Sequence, residues 1–464
     1  MSSDSARWHD LAWSHLQAGR SDLGLDAARR AHESSRGNLD YLNTLGVAYA
    51  ENGELELAEA TFRKLLKRRP GSADALMNLA KALEKLERLG EALPLYERAL
   101  ALEPAYPRLA ENVARLYRER NGDARRAAAL LERHARHIAP EQLALALASC
   151  DLELAGVDAA VARLGQALAA HPEWRTVREA YAHGLLAAGR FAEGWREYLA
   201  RSARPAPPAA LPKSGEVLLL GEQGLGDVLF FLRFTRGLEF SLACDARLGA
   251  VLSGVKTAAP QQRGVPLGDV PALLGSDQTP PAWPVAADES KRTGMRSRLA
   301  SLGPAPYLAV TWRAGTDVTR ARELGAERIS LTKAVDPAAL GAALRGWRGT
   351  VVLLQRAARP SERERFTQAL GAPVHDLTAV TDDLAALVAL LAVLDDHVGV
   401  SNTNMHLLAG LGRSARVLVP YPAEWRWLRR EGRSPWFPAF PVYRQAQSRD
   451  WSHALHSLRT DLGL

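Results

Sequence analysis

The first two hundred positions carry a pattern of small, apolar and polar residues that repeats every 34 residues. Pro70 and Pro104 are 34 residues apart, and Pro104 and Pro172 are 68 apart, which is two periods. Small residues let two antiparallel helices approach, large apolar residues fill the space between them, and proline ends the second helix. Each pair leaves an apolar face that only the next pair covers. The pattern therefore predicts about six helical pairs stacked in a solenoid.

Three units, beginning at residues 39, 73 and 141, show this pattern clearly. Each has Leu followed by a small residue in the first helix, small and large residues in the second, and a closing proline. These positions are Leu45, Gly46, Tyr49, Gly53, Ala58, Phe62 and Pro70; Leu79, Ala80, Ala92, Tyr96, Ala99 and Pro104; Leu147, Ala148, Ala160, Leu164, Ala167 and Pro172. Weaker copies occupy 5–38, 107–140 and 175–208. Residues 1–205 thus resemble tetratricopeptide repeat proteins, which implies an all-α solenoid.

Two asparagines recur at one position of the predicted first helices. Asn78 and Asn112 are 34 residues apart. A row of side-chain amides on the concave side of a solenoid could hold the backbone of an extended polypeptide. This predicts an acceptor-binding surface for a protein or peptide. The alternative is two solvated side chains, because only two of about six units carry the residue.

The pattern changes after a proline-rich stretch at 201–216. Short apolar runs then alternate with amphipathic stretches, which indicates parallel strands covered on both faces by helices. The runs are VLLL at 217–220, YLAVTW at 307–312, TVVLL at 350–354 and ARVLVP at 415–420. We predict a linker and a first, abbreviated α/β lobe over 206–300, and a second α/β lobe over 301–464.

A glycine-rich turn, GEQGLGD at 221–227, follows the first of these strands. Gly224 and Gly226 allow close backbone approach, and the start of the next helix offers free N–H groups to an anion. The lysine of a P-loop and the third glycine of a dinucleotide fingerprint are missing, which disfavours a nucleoside triphosphate or NAD. Taken alone, Asp227 is most simply explained as a helix cap, because helix starts favour Asp.

A second polar turn follows another predicted apolar strand. Ser401, Asn402, Thr403 and Asn404 precede a helix that carries His406. Polar residues and free N–H groups at the carboxyl end of a parallel strand form an anion site, in the crevice where open sheets bind ligands. His406 would reach the same anion. The alternative is a well-capped helix with a buried histidine.

Several stretches of residues 216–464 carry a more specific likeness. They are EQGLGD and FFLRF around the glycine-rich turn, VTWRAGT at 310–316, RISL at 328–331, and the segments HLLAGLG, PYPAEWRWL and SPWFP within 406–438. With the repeats before them, they resemble the glycosyltransferase region of bacterial tetratricopeptide-repeat proteins related to the heptosyltransferases. The resemblance implies a GT-B fold of two Rossmann-like lobes, with residues 450–462 as a helix crossing back to the first lobe. It also implies a nucleotide-sugar donor as co-substrate, without another cofactor.

The resemblance further implies roles for individual residues. Asp227 matches the general base near the acceptor, and Glu222 is the less favoured candidate. Gly224 and Gly226 shape the turn on the donor side. The remaining donor-binding candidates are Arg313, Arg328, Lys333, Ser401, Asn402, Thr403, Asn404 and His406.

These candidates lead to the hypothesis of an inverting, metal-independent transfer of a sugar to a protein acceptor. The α/β half contains no Asp-x-Asp and its histidines lack ligand spacing, so cationic side chains and a helix N-terminus would neutralise the departing phosphate. The family suggests flagellin or another surface protein as the acceptor. Related sequences often carry Asp-Thr where this chain has Ser401 and Asn402. The alternative hypothesis is therefore an inert interaction scaffold with a degenerate transferase domain.

Composition narrows the setting of the protein. The formal net charge is +7, but the charges are interspersed, and we expect no nucleic-acid partner. Cys150 and Cys244 are too far apart in sequence to suggest a metal or disulfide framework, which favours a reducing cytoplasm. The first residues lack the features of a signal peptide, and the longest apolar run, 384–394, is shorter than the about 20 residues of a membrane span. We expect a cytoplasmic protein without a transmembrane segment.

Overall fold

The computed structural model describes residues 2–86, 88–106, 108–201, 210–211, 215–259, 261, 263–314, 333–428 and 433–464. Arg328 and most of the predicted proline-rich linker lie outside the described residues. The chain divides into two compact units, Met1–Cys150 and Asp151–Leu464. The domain boundaries near 205 and 300 follow the sequence pattern and stay predictions.

The first unit consists of antiparallel helical pairs. Its helices are α1 (Ser2–Gln17), α2 (Ser21–Ser34), α3 (Leu39–Glu51), α4 (Leu55–Arg68), α5 (Ala73–Lys85), α6 (Leu89–Leu102), α7 (Leu109–Asn121) and α8 (Ala124–Arg133), and α9 (Pro140–Leu154) extends past its last residue. The side chains of Asn38 and Ser72 cap α3 and α5, as polar residues at helix starts do. Helices α4 and α6 end shortly before Pro70 and Pro104, as the 34-residue pattern predicts.

Small residues of the first helices receive large side chains from the second ones. A Cβ atom on Gly46 of α3 would lie 2.6 Å from the ring of Phe62 in α4. Phe62 is fully buried, and so is Ala58 one turn earlier. Glycine at position 46 therefore lets the two helices pack around this ring. The prediction of helical pairs held together by small and large residues is confirmed for the described part of this unit.

The second unit begins with helices and continues with two parallel sheets. Its first complete helices are α10 (Val157–Ala170), α11 (Arg175–Ala187) and α12 (Phe191–Tyr198). The first sheet contains β1 (Val217–Leu220), β2 (Phe240–Ala243), β3 (Lys256–Ala258) and β4 (Val265–Pro266), in the spatial order β3-β2-β1-β4. Helices α13 (Leu225–Phe231), α14 (Ala246–Gly249) and α15 (Val270–Leu273) accompany it, and α16 (Glu289–Leu302) leads to the second sheet.

The second sheet has six parallel strands. They are β5 (Tyr307–Thr311), β8 (Thr350–Leu353), β9 (Val374–Asp376), β10 (Asp396–Val400), β11 (Arg416–Val419) and β12 (Val442–Arg444), in the spatial order β12-β11-β10-β5-β8-β9; β6 (Arg313–Ala314) and β7 (Lys333–Ala334) form a separate antiparallel pair. Its helices are α17 (Pro337–Leu344), α18 (Pro360–Leu370), α19 (Leu384–Leu391), α20 (Thr403–Gly410) and α21 (Ser452–Asp461). All four apolar runs named above form strands, so the predicted α/β region with a smaller first sheet is confirmed.

One apolar core joins helices α11 and α12 to both sheets. Trp195 of α12 is 1% exposed and lies at its centre. Its ring makes edge-to-face contacts with Phe231 and Phe234, which follow the first strand of the first sheet. It makes the same kind of contact with Trp425 and Trp436, which follow β11 of the second sheet. The centroid distances are 5.4 to 6.0 Å. Aromatic pairs favour this geometry. The last helical pair is therefore part of the α/β body.

The C-terminal helix α21 packs on the second sheet. Ala454, Leu455 and Leu458 are buried in a core that also contains Leu340 and Tyr443. The family resemblance implied that this helix crosses back to the first lobe, whereas its apolar side chains lie in the core of the second sheet. The hydrophobic face of the helix explains this placement, because burial against the nearest apolar surface is favourable.

Two further features concern cysteines and membrane spans. Cys150 and Cys244 are both buried free thiols. Among the helices of the described residues, none is long and apolar enough to cross a membrane.

Candidate functional site

The predicted site residues follow strands at the point where the strand order reverses in each sheet. Numbered along the chain, the strands of the first sheet run 3-2-1-4 and those of the second run 3-2-1-4-5-6. The turn at 221–227 follows the central strand β1, Arg313 follows β5, and residues 401–404 follow the neighbouring strand β10. Open parallel sheets bind ligands outside the carboxyl ends of the strands at such a reversal. The topology therefore brings each predicted turn to the place at which sheets of this kind generally bind ligands.

The two turns also face each other. Helix α13 begins after Gly224, and helix α20 begins after Asn402. A Cβ atom on Gly226 would lie 3.2 Å from the ring of His406 and 3.6 Å from the hydroxyl of Thr403. Any side chain at position 226 would require the histidine to shift. Glycine at this position therefore allows α13 to approach α20 closely.

A chain of alternating charges runs from α13 to the second sheet. Arg426 donates to Asp227 Oδ1 at 2.5 Å and also donates to Glu424, and Glu424 accepts from Lys333 as well. The side chain of Arg426 is 11% exposed, and that of Asp227 is 36% exposed. The Arg426 guanidinium also lies 4.2 Å from the ring centroid of Trp425, a favourable cation–π distance. The candidate base therefore has a cationic partner from the other sheet's loops.

Asp227 does not cap α13. The N-cap residue is Gly224, which has no capping side chain, and Asp227 lies in the first helical turn. Its carboxylate is directed to Arg426 instead. The interpretation of Asp227 as a cap is wrong, because Asp227 lies three positions after the N-cap residue Gly224.

Glu424 and Arg426, the two central members of the charged chain, stabilise each other's charged forms. Burial alone would raise the pKa of Glu424, but Arg426 and Lys333 hold the pKa of its carboxyl well below the usual range. Burial alone would lower the pKa of Arg426, but Glu424 and Asp227 raise it. Opposite charges at short distance in a buried site outweigh desolvation here. Glu424 and Arg426 therefore stay charged across the physiological pH range.

Both polar atoms of the Asn402 side chain form hydrogen bonds. Its Oδ1 accepts from the backbone N–H of Asn404 at 2.9 Å, and its Nδ2 donates to Thr311 Oγ1 at 3.1 Å. Thr311 Oγ1 also lies 3.4 Å from Nε2 of the buried His397. A Cβ atom on Gly399 would lie 2.0 Å from this hydroxyl, so glycine in β10 makes room for it. Asn402 thus caps α20 and ties its start to the end of β5.

Three further polar residues of this region are buried, whereas Thr403 is half-buried. Ser401, Asn404 and His406 are 5%, 7% and 9% exposed. Burial, together with the nearby cations Arg426 and Arg233, lowers the pKa of His406 well below its ordinary value. Its Nδ1 is buried and has no hydrogen-bond partner among the described residues. A neutral imidazole can form a hydrogen bond with a ligand but adds no positive charge, so cations elsewhere must attract an anionic donor.

The predicted donor cations are paired with carboxylates where the structure describes them. Arg313 donates to Glu362 from Nε at 3.3 Å and from Nη2 at 3.2 Å, and its backbone N–H donates to Gln355 Oε1 at 2.9 Å. Lys333 belongs to the charged chain. Arg328 lies outside the described residues. A phosphate at this edge of the sheet would share Arg313 and Lys333 with their acidic partners.

Glu222, the second candidate for the base, is held in a network beside the first sheet. Its Oε1 accepts from Arg201 at 2.5 Å, and its Oε2 accepts from the backbone N–H of Leu267 at 3.2 Å. The side chain is 15% exposed. Both oxygens have partners, whereas Asp227 is more exposed. The geometry favours Asp227 over Glu222 for contact with an acceptor.

A third asparagine, Asn43, lies beside one of the two asparagines predicted to bind an acceptor. Asn78 lies in α5 and Asn112 in α7. Nδ2 of Asn78 donates to Oδ1 of Asn43 in α3 at 3.5 Å. Asn43 was missed because it is 35 residues before Asn78, one residue out of the 34-residue register. Together these residues place amides on three successive first helices.

Sequence reasoning also missed Arg426 and Glu424. Both lie in the PAEWRW segment. Trp425 and Trp427 of this segment and the nearby Trp436 are buried in the core, at 6%, 1% and 2% exposure. The alternation of charged and aromatic residues in this segment was the available signal, because it places charges beside a core.

Comparison with known proteins supports the helical part. The model of the tetratricopeptide repeat family matches residues 9–73 and 43–107. The N-terminal part of the chain therefore carries tetratricopeptide repeats, which are protein-interaction modules.

Individual relatives and solved structures add the following. Protein FlbA of Caulobacter vibrioides (strain ATCC 19089 / CIP 103742 / CB 15) is 26% identical over 520 residues, covering 97% of this chain and 84% of FlbA. A thermophilic repeat protein of Thermus thermophilus, TTC0263, is similar over 39% of this chain and 99% of its own, with 23% identity and a TM-score of 0.31. A tetratricopeptide repeat protein of Parabacteroides merdae ATCC 43184 is similar over 42% of this chain and 77% of its own, with 15% identity and a TM-score of 0.36.

Proposed function

We propose that this protein is a GT-B glycosyltransferase that moves a sugar from a nucleotide-sugar donor to a protein acceptor held by its repeats. The supporting observation is the arrangement of two turns, each at a strand-order reversal of its own parallel sheet, that face each other. A donor on the second turn and an acceptor hydroxyl would then meet at the rim of this contact, where the Asp227 side chain is 36% exposed. The repeats supply the protein-binding part.

In the proposed reaction, Asp227 acts as the general base. Its carboxylate takes the proton of the acceptor hydroxyl while the oxygen attacks the anomeric carbon of the donor. The bond to the nucleotide phosphate breaks, the phosphate keeps the electron pair, and the configuration inverts. Arg426, which donates to Oδ1, holds the carboxylate in place, and 36% of the Asp227 side chain remains exposed to an acceptor.

The departing phosphate would be stabilised by residues at the carboxyl edge of the second sheet. Arg313 and Lys333 supply charge, and the first N–H groups of α20 supply hydrogen-bond donors. His406 would contribute a hydrogen bond as a neutral imidazole. No metal ion is needed in this scheme, because these groups carry the charge of the leaving phosphate.

A second candidate function is that of an interaction scaffold without transferase activity. The observation that favours it is the pairing of Arg313 with Glu362, of Lys333 with Glu424 and of Arg426 with Asp227. Cations that are already neutralised attract a phosphate less strongly than free ones. The repeats would then act alone in binding a protein partner.

The two candidates differ in their response to nucleotides. The full-length protein is heated with a panel of nucleoside mono- and diphosphates and of nucleotide sugars, and its melting temperature is recorded. A transferase is stabilised by its donor through mass action, whereas the scaffold shows no shift with any member of the panel. Intact masses of co-purifying proteins, from cells with and without this chain, then test transfer itself: a sugar-sized increment that requires the chain supports the enzyme.

A further inference from the structure

The end of the last repeat helix reaches the glycine-rich turn. Arg201, three residues after α12, donates from Nη2 to Glu222 Oε1 and from Nη1 to Asp269 Oδ1, both at 2.5 Å. Its side chain is 7% exposed, and those of Glu222 and Asp269 are 15% and 0% exposed. One guanidinium thus binds a buried and a half-buried carboxylate at once.

The two carboxylates belong to the two loops of the first strand-order reversal. Glu222 follows β1, and Asp269 follows β4. Because β1 and β4 are neighbours in the sheet, the loops after them lie side by side. Arg201 therefore joins both loops, and Asp227 comes five residues after Glu222 on one of them.

Other contacts of the same helix end tighten this connection. Tyr198 of α12 donates through its hydroxyl to Gln223 Oε1 at 3.3 Å, and Gln223 Nε2 donates to Glu222 Oε1 at 3.3 Å. A Cβ atom on Gly268 would lie 2.9 Å from both Arg201 Nη2 and Gln223 Nε2. Glycine at position 268 thus leaves space for the guanidinium and the amide between the loops.

We propose that Arg201 is a positioning residue for Asp227. The last helical pair, α11 and α12, would then contribute to the active site as well as to the repeats. The proposal rests on the proposed function in that it assigns Asp227 to catalysis. A guanidinium can hold two carboxylates in a fixed plane through separate nitrogens, which a lysine ammonium cannot do in the same geometry. Misplacement of a reacting group by about 1 Å costs on the order of a hundredfold in rate.

The chain offers a matched control on the opposite edge of the second sheet. Arg416 donates to Asp396 at 2.6 Å, with side chains 21% and 19% exposed. These residues lie at the amino ends of β11 and β10, away from the turns at the carboxyl ends. Arg416→Lys removes a comparable arginine geometry without touching the glycine-rich turn.

The test compares full-length Arg201→Lys with Arg416→Lys in two measurements. The rate of amide hydrogen exchange in α13 reports how firmly Arg201 fixes the glycine-rich turn, and it needs no substrate. We expect exchange in α13 to accelerate about tenfold in Arg201→Lys and to be unchanged in Arg416→Lys. With the donor found by the thermal panel, we expect kcat to fall at least about tenfold in Arg201→Lys with the donor KM within about twofold, and neither to change in Arg416→Lys.

The outcomes separate this proposal from the proposed function. Unchanged exchange in α13, or equal acceleration in both variants, overturns the positioning role even if the wild-type protein transfers sugar. Faster exchange in Arg201→Lys alone supports the hold on the turn even if the wild-type protein is inactive with every donor, in which case the transferase proposal fails. Should Arg201→Lys not fold, the milder variant Glu222→Gln, which keeps the shape of the side chain but removes the charge that Arg201 binds, gives the same comparison in hydrogen exchange.

Discussion

The glycine-rich turn and the asparagine-bearing turn occupy equivalent places in their sheets but are built in opposite ways. The glycine-rich turn starts its helix without a capping side chain and leaves Asp227 partly exposed. The asparagine-bearing turn starts its helix with Asn402, whose side-chain oxygen and nitrogen both form hydrogen bonds, and Ser401 and Asn404 beside it are buried. Equivalent topology thus gives one turn that presents a charge and one that presents backbone and neutral groups. Whether a polar residue at a helix start is available for chemistry depends on its partners, which lie far away in sequence.

The largest expected effect tests the chemical role of the exposed carboxylate. Asp227→Asn keeps a hydrogen-bond acceptor for Arg426 but removes the base, so we expect transfer to fall by about 10² to 10⁴ in kcat. Donor binding, measured by thermal shift, should stay within about twofold. The control is Asp245→Asn, which removes a carboxylate that caps α14. Retention of full activity in Asp227→Asn would assign the base elsewhere.

The next effect concerns the connection between the two turns. Arg426→Gln leaves Glu424 and Asp227 without their shared cation in a largely buried setting, and we expect the free energy of unfolding to fall by about 3 kcal/mol. Urea denaturation measures it. Arg426→Gln combined with Glu424→Gln should recover part of the loss. Arg190→Gln, which breaks a half-exposed pair with Glu193, should change stability by less than about 1 kcal/mol. A similar small value for Arg426→Gln would show that the charged chain does not hold the sheets together.

The buried imidazoles near the asparagine-bearing turn predict acid sensitivity. Burial lowers the pKa of His397 to about 4, whereas its ordinary value is 6.5. The unfolded chain therefore binds a proton that the folded chain excludes. The stability contributed by the neutral histidine is complete above about pH 6.5 and is lost as the pH falls towards 4, by up to about 3 kcal/mol. Urea titrations at several pH values measure the free energy of unfolding. Compared with the wild-type protein, this free energy should fall less with decreasing pH in His397→Asn. It should fall by the same amount in the control His453→Asn, whose histidine is exposed.

A smaller effect tests the close approach of the two helices. In Gly226→Ala the new methyl group meets the ring of His406 at 3.2 Å, and we expect a loss of about 1 kcal/mol in urea denaturation. Gly90→Ala in α6 has open space around the new atom, so it should be neutral or stabilise by up to about 1 kcal/mol. If both substitutions stabilised the protein equally, the two turns would not be in contact in solution.

We expect the smallest effects from substitutions that remove the capping side chain of one turn and add one to the other. Asn402→Ala removes a capping side chain, and we expect a loss of about 1 kcal/mol. Gly224→Ser adds one at a position with extended backbone, φ −65° and ψ 161°, and we expect a gain of a few tenths of a kcal/mol. Thermal unfolding of both variants measures the difference. A gain in Asn402→Ala would contradict its role as a cap.

Much of the fold was predictable from local spacing. The register of Gly46 and Phe62, and of Pro70 and Pro104, predicted paired helices because small residues, large residues and prolines act within one or two helices. Continuous apolar runs predicted the strands for the same reason: a strand buried on both faces needs apolar residues throughout. The glycine-rich turn was predicted as a site because a strand, two glycines and a helix start form one local unit.

The partners of the site residues were not predictable in this way. Asp227 and Arg426 are 199 residues apart in sequence, and Lys333 and Glu424 are 91 apart. No local pattern relates residues at such distances, because only the pairing of strands within each sheet and the packing of the two sheets bring them together. For the same reason the sequence left Glu222 open as a base, since its partner Arg201 is 21 residues away along the chain.

The sequence by itself determined the repeat period, the order of helices and strands, and the two turns with their charged and polar residues, since these depend on neighbours along the chain. The tertiary structure alone decided which residues are paired, buried or exposed, and hence that Asp227 meets Arg426, that burial lowers the pKa of His406, and that Arg201 donates to Glu222 in the glycine-rich turn. Hydrogen bonds and charges act through space over a few ångströms, and the distances between atoms of remote segments exist only once the chain has folded.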